Sequence, residues 1–271
     1  MAVLNEYSSL MQVAIRSPLN SFISNEKLSN EWEDLRFHSQ PQLKESINEF
    51  IEFRKLLLKN EIEVIDLPQT NGLTIDSIYT RDSILISPNG LILCNMGRAS
   101  RTPEARANYE DLKLQGHQIA GEILAPGTLE GGDFIWLSDT KAAVGLGPRT
   151  NQKGIDQLKK ILGNTIELHV VQLPEPNHPD DVLHLMSIIS PLDKDLALIY
   201  KPLMPASFIQ WLEQLGIKFV EVDEVEYLLM GCNVLATSPR SVIMLENLPM
   251  VQKSLQNAGC KIQTYKGIEI S

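Results

Sequence analysis

The chain of 271 residues is poor in cysteine, aromatic residues and basic residues. Three cysteines without paired spacing are too few for a disulfide framework and are typical of a reducing compartment. Lysine and arginine number 24 against 34 aspartates and glutamates, which argues against a nucleic-acid-binding surface. No apolar run reaches membrane-spanning length, and the amino-terminal segment lacks the basic head and apolar stretch of a secretory signal. We therefore expect a cytoplasmic protein that binds neither nucleic acid nor membrane.

The few histidines also limit the chemistry. Five histidines are scattered through the chain, and none has metal-ligand spacing with cysteines or carboxylates. The sequence therefore predicts no metal and no cofactor. A formal charge of -10 suits a site for small cations, although most acidic proteins are simply soluble.

A nearly fixed interval is the most informative feature that is present. Asp82, Asp133, His184 and Asn233 are separated by 51, 51 and 49 positions, and each opens an apolar run, a polar turn and a second apolar run. Self-similarity at such a period predicts supersecondary units that are stacked or arranged in a ring. In a closed ring, the two aspartates and the histidine would meet.

Between these hairpins, the spacing of apolar residues predicts helices, each followed by a short strand. The predicted helices cover residues 42–59, 103–114, 151–162, 205–215 and 248–258. The clearest predicted strands after them cover residues 61–67, 166–173, 217–222 and 261–265. A half hairpin at residues 11–17 lacks its partner strand, so we expect one domain over residues 1–271, truncated at its carboxyl end and missing its last strand.

Two consecutive glycines form the most specific local motif, Glu130-Gly-Gly-Asp133. Glycine has no Cβ, so the chain can turn tightly or approach a ligand closely, with both acids facing one confined space. Taken alone, a glycine turn with two solvated acids is the more common explanation. A second acidic element, in which Asp76 and Asp82 bracket Tyr79, favours a site for a flat cation.

A histidine and two arginines complete the candidate set. His184 lies in an apolar run where a histidine is more often a core residue, but its register with the acids favours a proton carrier near neutral pH. Arg101 and Arg149 follow the second hairpin strand of successive units. Two arginines at matching corners can grip a carboxylate by bidentate hydrogen bonds, or they are surface charges at helix starts.

In this order and spacing, four motifs resemble the guanidine-modifying superfamily, which includes dimethylarginine dimethylaminohydrolase, arginine deiminase and the amidinotransferases. The motifs are Tyr79-Thr-Arg-Asp82, Leu129-Glu-Gly-Gly-Asp133, Gly147-Pro-Arg149-Thr-Asn151 and His184-Leu185. The resemblance covers the chain from about Met11 onwards. It implies an α/β pentein fold, a ring of five ββαβ units with pseudo-fivefold symmetry.

The resemblance also implies a catalytic set. Asp82 and Glu130 match the family's guanidinium-binding acids, and His184 matches its proton-transfer base. A guanidinium stays charged at biological pH and needs carboxylates in fork geometry. In the implied mechanism a cysteine thiolate attacks the guanidinium carbon. His184 then protonates the departing amine and activates water to cleave the thiouronium intermediate.

Four residues match the implied substrate-binding set: Asp76, Asp133, Arg101 and Arg149. Asp76 matches an acid that touches the guanidino end in dimethylargininases, whereas arginine deiminases tend to have asparagine there. Arginine deiminases also resemble one another in His-Leu-Asp, where this chain has Met186. Both departures favour a dimethylargininase-like or broader guanidine hydrolase, with arginine deiminase and amidinotransferase kept as alternatives.

No cysteine of this chain matches the position of the family's catalytic nucleophile. In the family it lies in a glycine-rich, cysteine-containing strand close to the carboxyl terminus. Here Cys94 and Cys232 are expected in core strands and Cys260 in a peripheral strand. We therefore expect a small cationic guanidino substrate, with a homodimer left open, and keep two further hypotheses. One is a non-catalytic guanidino-binding pentein, and the other is an unrelated five-bladed β-propeller, against which the predicted helices count.

Overall fold

The computed structural model describes residues 4–175 and 183–271. The first unit is a parallel pair of strands joined by helices. Its elements are β1 (Gln12–Arg16), α1 (Pro18–Ser21), α2 (Asn25–Glu31), α3 (Leu43–Lys59) and β2 (Glu63–Leu67). Within the described ranges β1 pairs with β2 alone.

The other four units repeat one connection, an antiparallel hairpin followed by a helix and a third strand parallel to the second. The second unit contains β3 (Ile84–Ser87), β4 (Gly90–Leu93), α4 (Glu104–Leu114) and β5 (Ile119–Glu122). The third contains β6 (Phe134–Ser138), β7 (Lys141–Leu146), α5 (Gln152–Leu162) and β8 (Glu167–Gln172). The fourth contains β9 (Ile189–Asp193), β10 (Leu196–Ile199), α6 (Ala206–Gln214) and β11 (Lys218–Glu221). After α7 (Glu224–Tyr227), the fifth contains β12 (Leu235–Ser238), β13 (Ser241–Leu245), α8 (Pro249–Asn257) and β14 (Lys261–Tyr265).

These pairings confirm the mixed α/β class and the run of helix-plus-strand pieces predicted from the sequence. The helices argue against the all-strand blades of a β-propeller. Closure of the units into a ring with pseudo-fivefold symmetry stays a prediction. Three helices were not predicted, α1, α2 and α7, because four to seven residues are too few to show helical periodicity.

Helix α5 shows how the sequence defines an element. The Asn151 side chain accepts a hydrogen bond from Gly154 N at its start, and Gly163 ends it with φ of 76°. Ile155 and Leu158 are fully buried against the third unit's sheet. Burial of each such side chain contributes about 1.5–3 kcal/mol, so packing rather than propensity holds the helix in place.

The apolar cores lie between the sheets and their helices, whereas many of the buried polar side chains gather at turns before the hairpins. The buried polar residues of these turns and their supports include Asp76, Asp82, Arg101, Glu104, Glu130, Asp133 and Thr150. Burying so many ionisable groups costs free energy unless they are paired. No helix in the described part of the chain is long and apolar enough to cross a membrane.

Candidate functional site

Three short 3-10 turns, each just before a hairpin, build the site. The turns are Thr80–Ser83, Gly131–Asp133 and Leu185–Ser187. They bring together the catalytic set expected from the sequence, because side-chain atoms of Asp82, Glu130 and His184 all lie within 4.8 Å of one another. Residues about 50 positions apart therefore form one polar cluster.

The double glycine is required by close approach. Gly132 N donates a hydrogen bond to Asp82 Oδ1 at 3.1 Å. A Cβ on Gly132 would lie 2.6 Å from His184 Nδ1 and 2.8 Å from Asp82 Oδ1, and a Cβ on Gly131 would lie 2.1 Å from the Arg81 carbonyl oxygen. Only glycine at both positions lets the turn pass between the acid and the histidine.

The shortest contact between acid and base joins His184 Nε2 and Glu130 Oε2 at 2.8 Å. Burial opposes both charges, but the hydrogen bond and charge of His184 outweigh it and lower the pKa of Glu130 to about 2. Burial alone would raise the pKa of Glu130 and lower the pKa of His184. The charge of Asp82, the hydrogen bond that His184 donates to Glu130 and the charge of Asp133 instead raise it to about 9. At neutral pH the pair is a carboxylate and an imidazolium.

Asp133 is fully buried, and both of its oxygens are engaged by the protein. Oδ1 accepts from Leu185 N at 3.0 Å, and Oδ2 accepts from Thr150 Oγ1 at 2.7 Å. Burial raises the pKa of Asp133 to about 6, against the lowering effect of His184 and these hydrogen bonds. Both oxygens of this acid are thus held by the protein, and its role in substrate binding stays a prediction.

Arg101 is buried, and all three of its guanidinium nitrogens contact protein acceptors. Nη1 donates to Asp82 Oδ2 at 2.7 Å, while Nε and Nη2 form a bidentate pair with Glu104 at 2.9 Å each. Nη2 also lies within hydrogen-bond distance of the carbonyls of Asp76 and Tyr79. In this structure Arg101 therefore orients Asp82. Glu104 was missed by sequence reasoning, although the spacing of three from Arg101 was a usable signal.

Two partly exposed arginines, Arg149 and Arg98, contact Glu130 and Asp76. Arg149 Nη1 lies 3.3 Å from both oxygens of Glu130. Arg98 Nη1 donates to Asp76 Oδ2 at 2.9 Å and to the Leu35 carbonyl at 2.8 Å. Burial raises the pKa of Asp76, although the nearby charges of Arg101 and Arg98 oppose the rise. The sequence prediction named Arg101 but not Arg98, because the segment Gly97-Arg-Ala-Ser-Arg101 contains two arginines and does not show which of them contacts which acid.

The ionisable side chains of the cluster carry one more negative than positive charge. Five carboxylates face three guanidiniums and one imidazolium, so one negative charge is unbalanced even when His184 is protonated. These groups are Asp76, Asp82, Glu104, Glu130 and Asp133 against Arg98, Arg101, Arg149 and His184. Within the described residues, Asp82, Glu130 and His184 are also the group placed to ligate a metal ion. Arg101 and Arg149 are already paired with those carboxylates, which opposes the binding of a divalent ion there.

All three cysteines of the chain are buried. Burial, followed by the negative charges of Asp82 and Glu130, raises the pKa of Cys94 well above its ordinary value. Burial also raises the pKa of Cys232 to about 12 and raises that of Cys260. None of the three is therefore a thiolate at neutral pH.

Comparison with known proteins gives these features a family. Residues 20–264 match the family described as N,N dimethylarginine dimethylhydrolase, eukaryotic. The chain belongs to this family. The predicted membership of the guanidine-modifying, or pentein, superfamily is thereby confirmed.

Individual proteins are also similar to this chain over much of its length. Uncharacterized protein YkgA of Bacillus subtilis is 26% identical over 95% of this chain and 85% of its own length. The N(G),N(G)-dimethylarginine dimethylaminohydrolase of Streptomyces coelicolor is 29% identical over 64% of each chain. A solved dimethylarginine dimethylaminohydrolase from Pseudomonas aeruginosa, a cysteine-to-serine mutant complexed with citrulline, has a TM-score of 0.78. It is 21% identical, with 96% of this chain and 94% of that chain covered.

Proposed function

We propose that the site binds the guanidinium group of arginine or a methylated arginine between Asp82 and Glu130, with His184 as proton carrier. The observation that carries this proposal is the convergence of the three side chains within 4.8 Å in a cluster with unbalanced negative charge. A planar, permanently charged guanidinium suits paired carboxylates better than a compact ammonium does. The names of the Streptomyces and Pseudomonas relatives support the same ligand class.

The reaction class that this site supports is hydrolysis of the guanidino group. A thiolate would add to the guanidinium carbon, and the imidazolium of His184 would give its proton to the departing amine. The neutral imidazole would then take a proton from water as the water oxygen adds to the thiouronium carbon. The C–S bond of this adduct would break to release the thiolate, and its hydroxyl proton would pass to the released amine or to solvent, which leaves a urea product. A His184 already protonated by its acidic surroundings is ready for the first of these proton transfers.

The buried thiols favour a second candidate, a binding protein with the same acidic pocket. Because burial keeps Cys94, Cys232 and Cys260 neutral, we expect these 271 residues to bind guanidino compounds without turning them over. A cytoplasmic location remains part of this proposal.

Calorimetric titration with arginine, a methylated arginine and agmatine tests the binding step. Asp82→Asn should weaken binding by roughly 2–5 kcal/mol, because a desolvated guanidinium loses its counter-charge. Asp156→Asn changes an acid whose contact with Gln152 is exposed, and it should leave the affinity unchanged. Equal affinity in the wild type and Asp82→Asn would overturn the proposal.

Arg149→Ala tests the carboxylate contact separately. Arginine has a carboxylate and agmatine does not, so this variant should weaken arginine binding more than agmatine binding. Equal losses for the two ligands would exclude a carboxylate-gripping role for Arg149.

A further inference from the structure

The turn that carries Asp82 is tied to strand β1. At the start of the turn, Thr80 Oγ1 donates a hydrogen bond to the Ala14 carbonyl at 3.0 Å. At its end, the Ser83 side chain is linked to a second residue of β1, Arg16, through a chain of hydrogen bonds. Strand β1 therefore supports both ends of the turn, and Asp82 lies between them.

The chain of hydrogen bonds from Arg16 runs in one direction. Arg16 Nη2 donates to Asn108 Oδ1, and Asn108 Nδ2 donates to Ser83 Oγ at 2.9 Å. The Ser83 hydroxyl then donates to the Thr80 carbonyl at 3.0 Å. Because a guanidinium has donors only, it fixes the Asn108 amide with its oxygen towards Arg16 and its NH2 group towards Ser83. The orientation of each later group therefore depends on Arg16.

Arg16 is a buried cation that is bound by neutral groups. Its side chain is 1% exposed, and its second hydrogen bond goes from Nη1 to the Pro68 carbonyl. Its Nε has no partner in the part of the chain that the structure describes. Burial lowers the pKa of Arg16, against the opposing effect of the charges of Asp111 and Glu104. An apolar side chain would fill this space at less cost, which favours a role for the donors of Arg16 beyond packing.

We propose that Arg16 is a positioning residue for the guanidinium site. Through its chain of hydrogen bonds it fixes the turn Thr80–Ser83, and with the turn the carboxylate of Asp82. A planar guanidinium needs its carboxylates in fork geometry, so a displaced turn weakens its binding. The effect on ligand affinity rests on the proposed binding of a guanidinium between Asp82 and Glu130.

Calorimetric titration with arginine tests the effect on binding. Arg16→Met keeps the length of the side chain without its donors and should weaken binding about tenfold, as when other residues that orient a binding side chain are lost. Arg16→Lys keeps a cation that only donates and should restore the affinity to within about threefold of wild type. Arg54→Met removes an arginine of the same unit from an exposed pair with Asp66 and should leave the affinity unchanged. Wild-type affinity in Arg16→Met, or equal affinities in the Met and Lys variants, would overturn the inference.

A double substitution tests whether Arg16 acts through Asn108. Asn108→Leu keeps the size of the side chain but loses both of its hydrogen bonds, and it should also weaken arginine binding about tenfold. Because both residues belong to one chain of hydrogen bonds, the double variant should again lose about tenfold. A loss of about a hundredfold would show that the two residues act independently and would overturn the inference. Ser83→Ala, which removes one buried hydroxyl, takes the place of Arg16→Met if that variant fails to fold.

The pKa of His184 gives a second measurement that needs no ligand. Burial lowers this pKa, and the charge of Asp82 is the largest of the effects that raise it to about 9. If Arg16→Met releases the turn, the midpoint of His184 should fall by about one pH unit, and Arg16→Lys should return it towards the wild-type value. Loss of the Arg16 charge without movement of Asp82 would raise the midpoint instead. NMR titration of isotope-labelled histidine measures the midpoint, with the signal assigned from His184→Gln.

The outcomes separate this inference from the proposed function. Folded wild-type protein that does not bind arginine would overturn the proposed function, whereas a lowered His184 midpoint in Arg16→Met would still support the positioning of Asp82. A midpoint that is unchanged or raised would overturn the inference, whatever the affinity for arginine. Circular dichroism of each variant establishes that it is folded.

Discussion

The turns that form the site and the corresponding turn of the fifth unit precede the hairpins of their own units in the same way, but they differ in burial and charge. Asp82 and Glu130 are buried among charged partners, and His184 lies beside them. Asn233, which continues the same interval, is exposed and contacts Met230. Apolar side chains before it also face solvent: Val225, Leu228, Leu229 and Met230. The same local architecture therefore builds a site only where buried charges are placed on it.

Two buried glutamates, Glu226 near the fifth-unit turn and Glu130 in the site, have different kinds of hydrogen-bond partner. Glu226 accepts hydrogen bonds from Met250 N at 2.8 Å and Val251 N at 2.7 Å, two amides in the first turn of α8 that have no helical partner. Glu130 accepts instead from His184 and the Arg149 side chain, so its neighbours are ionised groups. Glu226 completes a helix, whereas Glu130 concentrates charge at a cost that packing elsewhere must offset.

The largest effect is expected from adding a side chain at Gly132, where the turn passes between Asp82 and His184. Gly132→Ala adds a methyl 2.6 Å from His184 Nδ1, so the turn must move and the Asp82 hydrogen bond must break. We expect guanidino binding to be lost and the free energy of unfolding to fall by about 3 kcal/mol, as for overpacked cores. Urea unfolding and calorimetric titration measure both quantities.

Gly216→Ala is the matched control for that substitution. Gly216 has φ of +79° with nothing within 4 Å of its Cβ position, so this variant bears only the backbone cost of about 1 kcal/mol. Unchanged ligand affinity in Gly132→Ala would show that the close approach does not shape the site.

The next largest difference is expected between substitutions of the two buried glutamates, Glu130 and Glu226. Glu130→Gln leaves His184 and Arg149 without their counter-charge and should lower the free energy of unfolding by about 3–5 kcal/mol. Glu226→Gln keeps one carbonyl acceptor for the amides of α8 and should cost about 1–2 kcal/mol. Denaturant titration of both variants measures the difference. A larger loss for Glu226→Gln would contradict the distinction between charge cluster and helix cap.

The pH dependence of stability tests the ion pair. His184 has a pKa raised to about 9, so its contribution is complete below its ordinary pKa of about 6.5 and is lost as pH rises through 9. Glu130 has a pKa lowered to about 2, so its contribution is present above about 4.5 and is lost as pH falls towards 2. The destabilisation caused by His184→Gln should therefore be greatest between about pH 4.5 and 6.5. Destabilisation that grows from pH 7 to 10 would contradict this assignment.

The smallest effect is expected at the exposed turn. Asn233→Ala should change the free energy of unfolding by less than about 0.5 kcal/mol and leave ligand affinity unchanged, because the side chain faces solvent. Thermal unfolding and titration of this variant set the baseline for the others. A clear loss of guanidino binding would place Asn233 in the site after all.

The sequence alone predicted the features that recur from unit to unit and the tight turn that contains two consecutive glycines. Apolar periodicity predicted helix α3, found at Leu43–Lys59. The interval of Asp82, Asp133 and His184 predicted that their turns meet, and hydrogen bonds join Gly132 to Asp82 and Leu185 to Asp133. Each of these depends on local spacing or on a pattern repeated in several units. The double glycine carried information because only a crowded turn excludes a Cβ.

Side-chain direction could not be predicted in the same way. Arg98 and Arg101 lie three positions apart, but Arg98 donates to the carbonyl of Leu35, which is 63 positions away, whereas Arg101 pairs with the nearby Glu104. Asp133 shows the same limit, since its partners Leu185 N and Thr150 come from outside its own turn. Spacing predicts proximity, but hydrogen-bond partners depend on the packed structure.

The contacts that hold the site together also bear on when it forms during folding. Gly132 to Asp82, Leu185 to Asp133 and His184 to Glu130 join residues 50, 52 and 54 positions apart. Hairpins and helices within one unit close short loops, whereas these bonds require the ends of whole units to meet first. We expect mutations at these positions to speed unfolding with little effect on the folding rate. Acquisition of ligand affinity during refolding would then lag behind the recovery of helical circular dichroism.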